Sequence, residues 1–269
     1  MLKTRVITAV ILALGLLAVL FLLPAPASVA CLTLIVALAA WEWAGLLHLG
    51  GPQRWFYALL TALLCTAVYA AGMPTALLYG LWTLALLYWL LLVPLWFRRK
   101  WRLRANAAGY LVGWLLLLPS WAAMVQLQGR SPWYLLAAMS LVWVADIAAY
   151  FAGRAWGKHK LAPGISPGKT WEGAFGACLG VTLYGALLAR SGWSMSGAAA
   201  YLGLAVALLL VTGVSIVGDL FESLVKRQAG VKDSSRLLPG HGGILDRIDS
   251  LTSTLPLLAM AAQYFLGHD

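Results

Sequence analysis

The chain has 269 residues, of which 62% are hydrophobic and 10% charged, with a formal net charge of +10. A soluble surface needs about a quarter of its residues charged, so this composition excludes a cytosolic enzyme, a secreted disulfide scaffold and a disordered tail, and makes the bilayer the solvent. The positive charge is read as loops that face an anionic leaflet and an anionic substrate, with no nucleic-acid partner.

About 20 apolar residues are needed to span a hydrocarbon core about 30 Å thick. Nine such runs follow one another, at 6–23, 28–48, 55–72, 75–97, 107–127, 132–152, 172–190, 197–218 and 250–266. Lys3 and Arg5 before the first run, and Ala25-Pro26-Ala27-Ser28-Val29-Ala30-Cys31 after it, have the outline of a signal peptide with a cleavage or lipoprotein site. The run is long for a signal core, Ser28 stands where an aliphatic residue is wanted, and a second apolar run follows at once, so it is read as a retained anchor. Cys31, Cys65 and Cys178 are scattered through apolar stretches without metal-type spacing and read as reduced packing residues.

With a cytoplasmic amino terminus and nine alternating helices, all of the nineteen bases except Arg130 and Arg190 fall on the cytoplasmic side. Arg98, Arg99, Lys100, Arg102 and Arg104 read first as a topology determinant and second as a collector of anionic lipid. The expected fold is an all-α, polytopic integral membrane protein with about nine transmembrane helices. Residues 1–130 form a lipid-facing scaffold, and 131–269 form a catalytic region with cytoplasmic loops 153–171 and 219–249.

Seven of the nine acids lie between positions 146 and 249, whereas the first 145 residues hold only Glu42. Carboxylates at membrane depth are costly and are paired, metal-bound or functional. Asp146 lies inside the sixth run, with Tyr150 one turn and Arg154 about two turns further on. It reads as lining a polar cavity, or as a helix-packing hydrogen bond. In the following loop, Ser166 or Thr170 is placed to cap the seventh helix, which sets Lys169 beside a helix start that favours phosphate. Gly168-Lys169-Thr170 is not a P-loop: the glycine five before Lys169 is absent and no strand precedes it. Gly176 and Gly180 read as helix packing.

Asp219, Glu222 and Lys226 share one helix face at the end of the eighth run, and Asp246 and Asp249 open the ninth. Two helix ends that each offer a carboxylate pair can together hold a hard cation, for which Mg²⁺ is best suited. The competing reading is solvated helix-end charge balanced by Lys226, Arg227 and Arg247. Between the pairs, residues 226–243 supply bases, hydroxyls and glycines able to present N–H groups to phosphate. His241 reads either as a general acid or phosphate donor, or as a residue that fixes the turn.

These residues resemble the phosphatidate cytidylyltransferase family, the CDP-diacylglycerol synthases. The resemblance rests on Ser223-x-x-Lys226-Arg227-x4-Lys232-Asp233-x-Ser235-x-x-Leu238-Pro239-x-His241-Gly242-Gly243-x-x-Asp246-Arg247-x-Asp249. It extends upstream to Ser166-Pro167-x-Lys169-Thr170-x-Glu172-Gly173 and Asp146, with Glu42-Trp43-Ala44 the similar segment in the first half. The resemblance implies transfer of CMP from CTP to phosphatidate, giving CDP-diacylglycerol and pyrophosphate, with Mg²⁺ and K⁺ as a second cation. On that basis Asp219, Asp246 and Asp249 are expected to hold metal. Lys226, Arg227, Lys232, Arg236 and Lys169 would neutralise the triphosphate and Arg247 the lipid phosphate, with His241 among the catalytic candidates. Ser166 is counted with the substrate-binding residues, and Glu172 and Asp146 are expected to orient the bases or bind the second cation. The resemblance further implies a homodimer in a bacterial-type inner membrane, with the active site facing the cytoplasm.

Two rivals follow from the same residues. A transporter for an anionic solute would also carry intramembrane acids, but spread along the membrane depth rather than gathered at one face. Another membrane enzyme using a nucleotide and a lipid, such as a CTP-dependent lipid kinase, would transfer the terminal phosphate and release CDP.

Overall fold

A computed structural model of the chain describes residues 2–192 and 198–266. Residue 197, where the eighth predicted run begins, Asp269 and the side chain of Arg190 lie outside the described residues. The apolar runs form helices α1 (Leu2–Phe21), α2 (Ala25–Leu46), α3 (Gly51–Ala70) and α4 (Thr75–Leu87), the last continued by a π-helical turn (Tyr88–Leu92) into α5 (Val93–Arg99). Then come α6 (Ala107–Arg130), α7 (Pro132–Trp156), α8 (Trp171–Gly192), α9 (Ala198–Gln228) and α10 (Leu245–Leu266).

Among the described residues, seven helical stretches are long and apolar enough to cross a membrane: Lys3–Phe21, Ala25–Leu46, Thr75–Arg99, Ala107–Arg130, Pro132–Trp156, Trp171–Ala189 and Tyr201–Gln228. The other two, α3 and α10, are more polar. Gln53 and Arg54 stand in the first turn of α3, and α10 carries Asp246, Arg247, Asp249 and a run of hydroxyls.

Local chemistry sets the helix starts. Asn106 caps α6 by accepting from the Gly109 N–H at 3.1 Å, and Ser131 caps α7 by accepting from the Trp133 N–H at 3.3 Å. Proline stands in the first turn of α2, α3 and α7, where a missing N–H costs nothing. Pro94 at the start of α5 has no N–H for the preceding turn, and the chain passes into it with the wider hydrogen bonding of residues 88–92.

The helix ends depart from the expected boundaries. Helix α7 runs on to Trp156, α9 to Gln228, and α10 begins at Leu245. The polar connections are therefore 157–170 and 229–244, shorter than the expected 153–171 and 219–249. Arg154, Glu222, Lys226 and Arg227 are good helix formers and prolong their helices past the apolar runs. Within the first connection lies an antiparallel hairpin, β1 (Lys160–Ala162) and β2 (Ser166–Thr170), with Lys160 opposite Thr170 and Ala162 opposite Ser166. It is the one sheet among the described residues and an exception to the all-α expectation.

Helices α7 and α8 pack closely through small residues. A Cβ added at Gly176 would run into the Ala152 side chain and one at Gly180 into that of Ala148, so both glycines act in packing, as their spacing predicts. Replacing Gly176 with Leu should force the helices apart and destabilise the fold by about 1–3 kcal/mol. Thermal denaturation in detergent checks this; an unchanged midpoint would show that the interface tolerates separation.

Helix α10 is the central element, touching α2, α4, α6, α7 and α9. Buried hydroxyls are satisfied across these contacts: Ser253 Oγ of α10 donates to the Val214 carbonyl of α9 at 3.0 Å, and Ser120 Oγ of α6 donates to the Thr252 carbonyl of α10 at 3.0 Å. Gly218 lets α9 approach, since a Cβ there would strike Ser253 Oγ. The rotation of α9 is fixed by Phe221, whose ring sits edge-on to Tyr88 and Trp89 at 5.7 Å and to Trp96 at 5.4 Å.

Candidate active site

With Phe221 turned into that aromatic group, α9 presents Asp219, Glu222, Ser223 and Lys226 along a neighbouring face. Lys226 is 8% exposed and bracketed by two carboxylates: its Nζ lies 3.0 Å from Glu222 Oε1 and 2.6 Å from Asp246 Oδ1. One partner comes from the same helix at i−4, the other from the first turn of α10.

The connection 229–244 shapes the second partner. Gly230, with φ of 76°, closes α9 in the left-handed conformation, and Gly240 and Gly242, with φ of 77° and 79°, turn the chain back toward α10. Asp246 Oδ2 then accepts from the Gly243 N–H at 2.7 Å and from the Ser234 N–H and hydroxyl, each at 2.9 Å. Asp246 precedes the apolar stretch 250–266. Burial opposes its ionisation, but hydrogen bonds from Lys226, Gly243 and Ser234 outweigh burial and hold the carboxyl below its usual range.

Behind this loop stands Glu42 of α2, with 0% exposure. It accepts from the Ser235 hydroxyl at 2.6 Å, the Leu245 N–H at 2.6 Å, the Ile244 N–H at 3.0 Å and the Ser234 hydroxyl at 3.1 Å. Only glycine fits at 243, where a Cβ would collide with Ser234 Oγ and the Glu42 carboxylate.

One helical turn before Glu222, Asp219 meets a different element. Lys169 of β2 reaches it at 2.5 Å, and the Ser223 hydroxyl donates to it at 3.2 Å. The hairpin is held at its base by Glu172, whose carboxylate accepts from the His159 N–H at 3.2 Å and lies 2.7 Å from His159 Nδ1. Of the two capping candidates, Thr170 caps α8, its Oγ1 accepting from the Gly173 N–H at 3.1 Å, while Ser166 stands in β2 opposite Ala162. Asp146 of α7 and Asp249 of α10 lie within electrostatic reach of Asp219 and of each other, with Lys169 and Arg247 near Asp146. Arg154 turns to the Tyr150 hydroxyl at 3.1 Å.

The remaining candidates stand on the connection 229–244 and the helix turns that flank it. Lys232, Arg236 and Arg247 are exposed and form no ion pair among the described residues. Arg227 is exposed and donates to the Val231 carbonyl at 3.2 Å. His241 is half-buried, its N–H donating to the Leu238 carbonyl at 2.9 Å within the turn. Among the described residues no three His, Cys, Asp or Glu side chains are gathered closely enough to hold a metal ion. Asp246 commits both oxygens to Lys226, Ser234 and Gly243.

The Cytidylyltransferase family model matches residues 3–265. The chain belongs to this family. Its relatives include the phosphatidate cytidylyltransferase of Pseudomonas aeruginosa, 45% identical over 272 residues that cover 96% of this chain and 96% of that protein. The phosphatidate cytidylyltransferase of Haemophilus influenzae is 47% identical over 126 residues, 46% of this chain and 44% of that protein. That of Brucella suis is 50% identical over 130 residues, 48% of this chain and 47% of that protein.

In this cytidylyltransferase, four of the residues expected from sequence, Lys226, Asp246, Lys169 and Asp219, are joined as two ion pairs. Glu42 and Ser234 are not among the expected site residues. The available signal for Glu42 is its isolation, one acid in the first 145 residues.

Proposed function

We propose that this chain is a phosphatidate cytidylyltransferase of the inner membrane. The observation that carries the reading is its similarity, over 96% of its length, to the Pseudomonas aeruginosa protein of that name. The geometry agrees with the chemistry such an enzyme must perform. A phosphate oxygen of phosphatidate attacks the α-phosphorus of CTP; the new P–O bond forms as the α–β bridging P–O bond breaks, and pyrophosphate leaves. The nucleophile is already anionic, so the work is positioning and charge neutralisation rather than proton abstraction.

Exposed Lys232, Arg236, Arg227 and Arg247, on the connection 229–244 and the helix turns that flank it, are suited to the triphosphate and lipid phosphate. Ser166 is assigned to substrate from its place on the hairpin that delivers Lys169, and His241 to the turn or to a phosphate oxygen. Within the bracket, Lys226 is better suited to organising Asp246 than to a free role on phosphate.

A Mg²⁺ requirement is part of the proposal. Asp146, Asp219 and Asp249 lie within electrostatic reach of one another and offer only oxygen donors, the chemistry that suits a hard cation, and the three would have to draw closer to share one. Asp219 and Asp249 would hold it with Asp146 beside them, and Asp246 could join only if Lys226 released it. Such an ion, when bound, supplies charge neutralisation at the phosphates. K⁺ as a second cation falls to Asp146, since Glu172 is engaged by His159.

The proposal includes nine crossings with a cytoplasmic amino terminus, supported by the one-sided placement of bases. That orientation puts the site at the cytoplasmic face, with the acyl chains of the substrate left in the bilayer. A homodimer is included on the family resemblance. Purified protein given phosphatidate, Mg²⁺ and CTP labelled in the cytidine should move label into lipid and release pyrophosphate. Release of CDP with unlabelled lipid would identify a lipid kinase instead, and no lipid-dependent turnover by folded protein would sink both readings.

A further inference from the structure

We propose that Glu42 is a positioning residue of the catalytic site, holding the loop and helix start from which Asp246 engages Lys226. The inference rests on the functional reading above and adds to it a residue from the apolar first half of the chain. Glu42 is fully buried, yet no cation forms an ion pair with it among the described residues. Arg54 lies within electrostatic reach of Glu42 but makes its close contacts with Trp41: its guanidinium stacks 3.4 Å from the ring centroid and its Nε donates to the Trp41 carbonyl at 3.1 Å. What faces Glu42 is a set of neutral donors, the hydroxyls of Ser234 and Ser235 and the N–H groups of Ile244 and Leu245 at the start of α10. The chain supplies its own anion to a helix amino terminus, where free N–H groups and the helix dipole favour negative charge.

That carboxylate grips the loop at two points. Leu245 adjoins Asp246, and Ser234 donates from its N–H to Asp246 Oδ2 at 2.9 Å. The Ser234 hydroxyl has one proton and two acceptors, Asp246 Oδ2 at 2.9 Å and Glu42 Oε2 at 3.1 Å, so it bonds one at a time and links the two acids. Moving Glu42 therefore moves both the donors that aim Asp246 and the segment that bears it. An amide at 42 would turn an NH₂ toward one pair of donors, removing acceptors and adding repulsion.

Glu42→Gln in the full-length protein should lower kcat by about 10²-fold, the scale of a roughly 1 Å misplacement in a site, with KM for CTP and phosphatidate nearly unchanged. Glu42→Asp, which keeps the charge on a shorter arm, should recover part of the loss. Hydrogen exchange at the Ile244 and Leu245 amides should quicken by at least about tenfold in Glu42→Gln while amides of α7 and α8 stay protected. Ser235→Ala removes one donor only and provides a milder variant should Glu42→Gln fold poorly; a severalfold lower kcat is expected. A Glu42→Gln or Ser235→Ala protein whose folded fraction turns over at the wild-type rate would overturn the proposal, as would unchanged exchange at 244 and 245. Failure of the wild type to make labelled lipid would instead count against the functional reading, and the exchange measurement would still decide whether Glu42 holds the loop.

Discussion

Replacing Lys226 with Met is expected to abolish turnover and destabilise the protein together. The ammonium lies between Glu222 and Asp246, which are 5% and 9% exposed, and its removal leaves two buried carboxylates facing each other. Breaking a buried pair by deleting one partner typically costs about 3–5 kcal/mol, because the remaining charge is uncompensated. Turnover should fall by at least about 10²-fold, the scale of losing one placed electrostatic group, since Asp246 loses the partner that fixes its Oδ1. The double variant Lys226→Met with Glu222→Gln separates the two effects: removing one acid should restore much of the stability and none of the activity. Thermal midpoints in detergent and kcat with labelled CTP read both. Wild-type turnover in the single variant would remove Lys226 from the site.

Asp219→Asn is expected to split activity from stability the other way. Its pair with Lys169 is partly open to water, the two side chains being 28% and 24% exposed, and such pairs contribute about 0–1 kcal/mol. The thermal midpoint should barely move. Turnover should fall by about 10²–10³-fold, because Asp219 is where the hairpin, α9 and the acids Asp146 and Asp249 converge. The concentration of Mg²⁺ needed for half-maximal rate should rise in whatever activity remains. Lys169→Met should cost less, since it frees Asp219 without removing it. If Asp219→Asn loses stability as severely as Lys226→Met while its folded fraction keeps full activity, Asp219 is a structural tether alone.

The sequence displays the membrane-spanning elements because a run of about 20 apolar residues matches the thickness of the hydrocarbon core and is too apolar to sit in water. It hides their ends. Residues 219–228 fall by charge in the expected loop 219–249, yet they continue α9 by more than two turns, as the shared helix face of Asp219, Glu222 and Lys226 already requires. The hairpin at 160–170 is equally hidden, since strands of three and five residues containing proline, glycine and lysine show no alternation to read. In the site, the i,i+4 pair Glu222–Lys226 is legible from spacing alone, whereas the Lys226–Asp246 pair depends on how 229–244 turns. Glu42 is the extreme case. Its solitude announces a buried polar contact, but its partners stand 192 to 203 residues further along, beyond the reach of any local pattern.

That separation also orders events during synthesis. Helix α2 is made while residues 234–245 are still untranslated, so Glu42 enters the bilayer region without any of its four donors. Until they arrive its side chain lacks the hydrogen bonds that offset its burial. Packing of α10 brings the Ile244 and Leu245 N–H groups to Glu42 and the Asp246 carboxylate to Lys226 together. A bundle without α10 has no Asp246 and no Asp249, so the second carboxylate at Lys226 is in place only once α10 has packed.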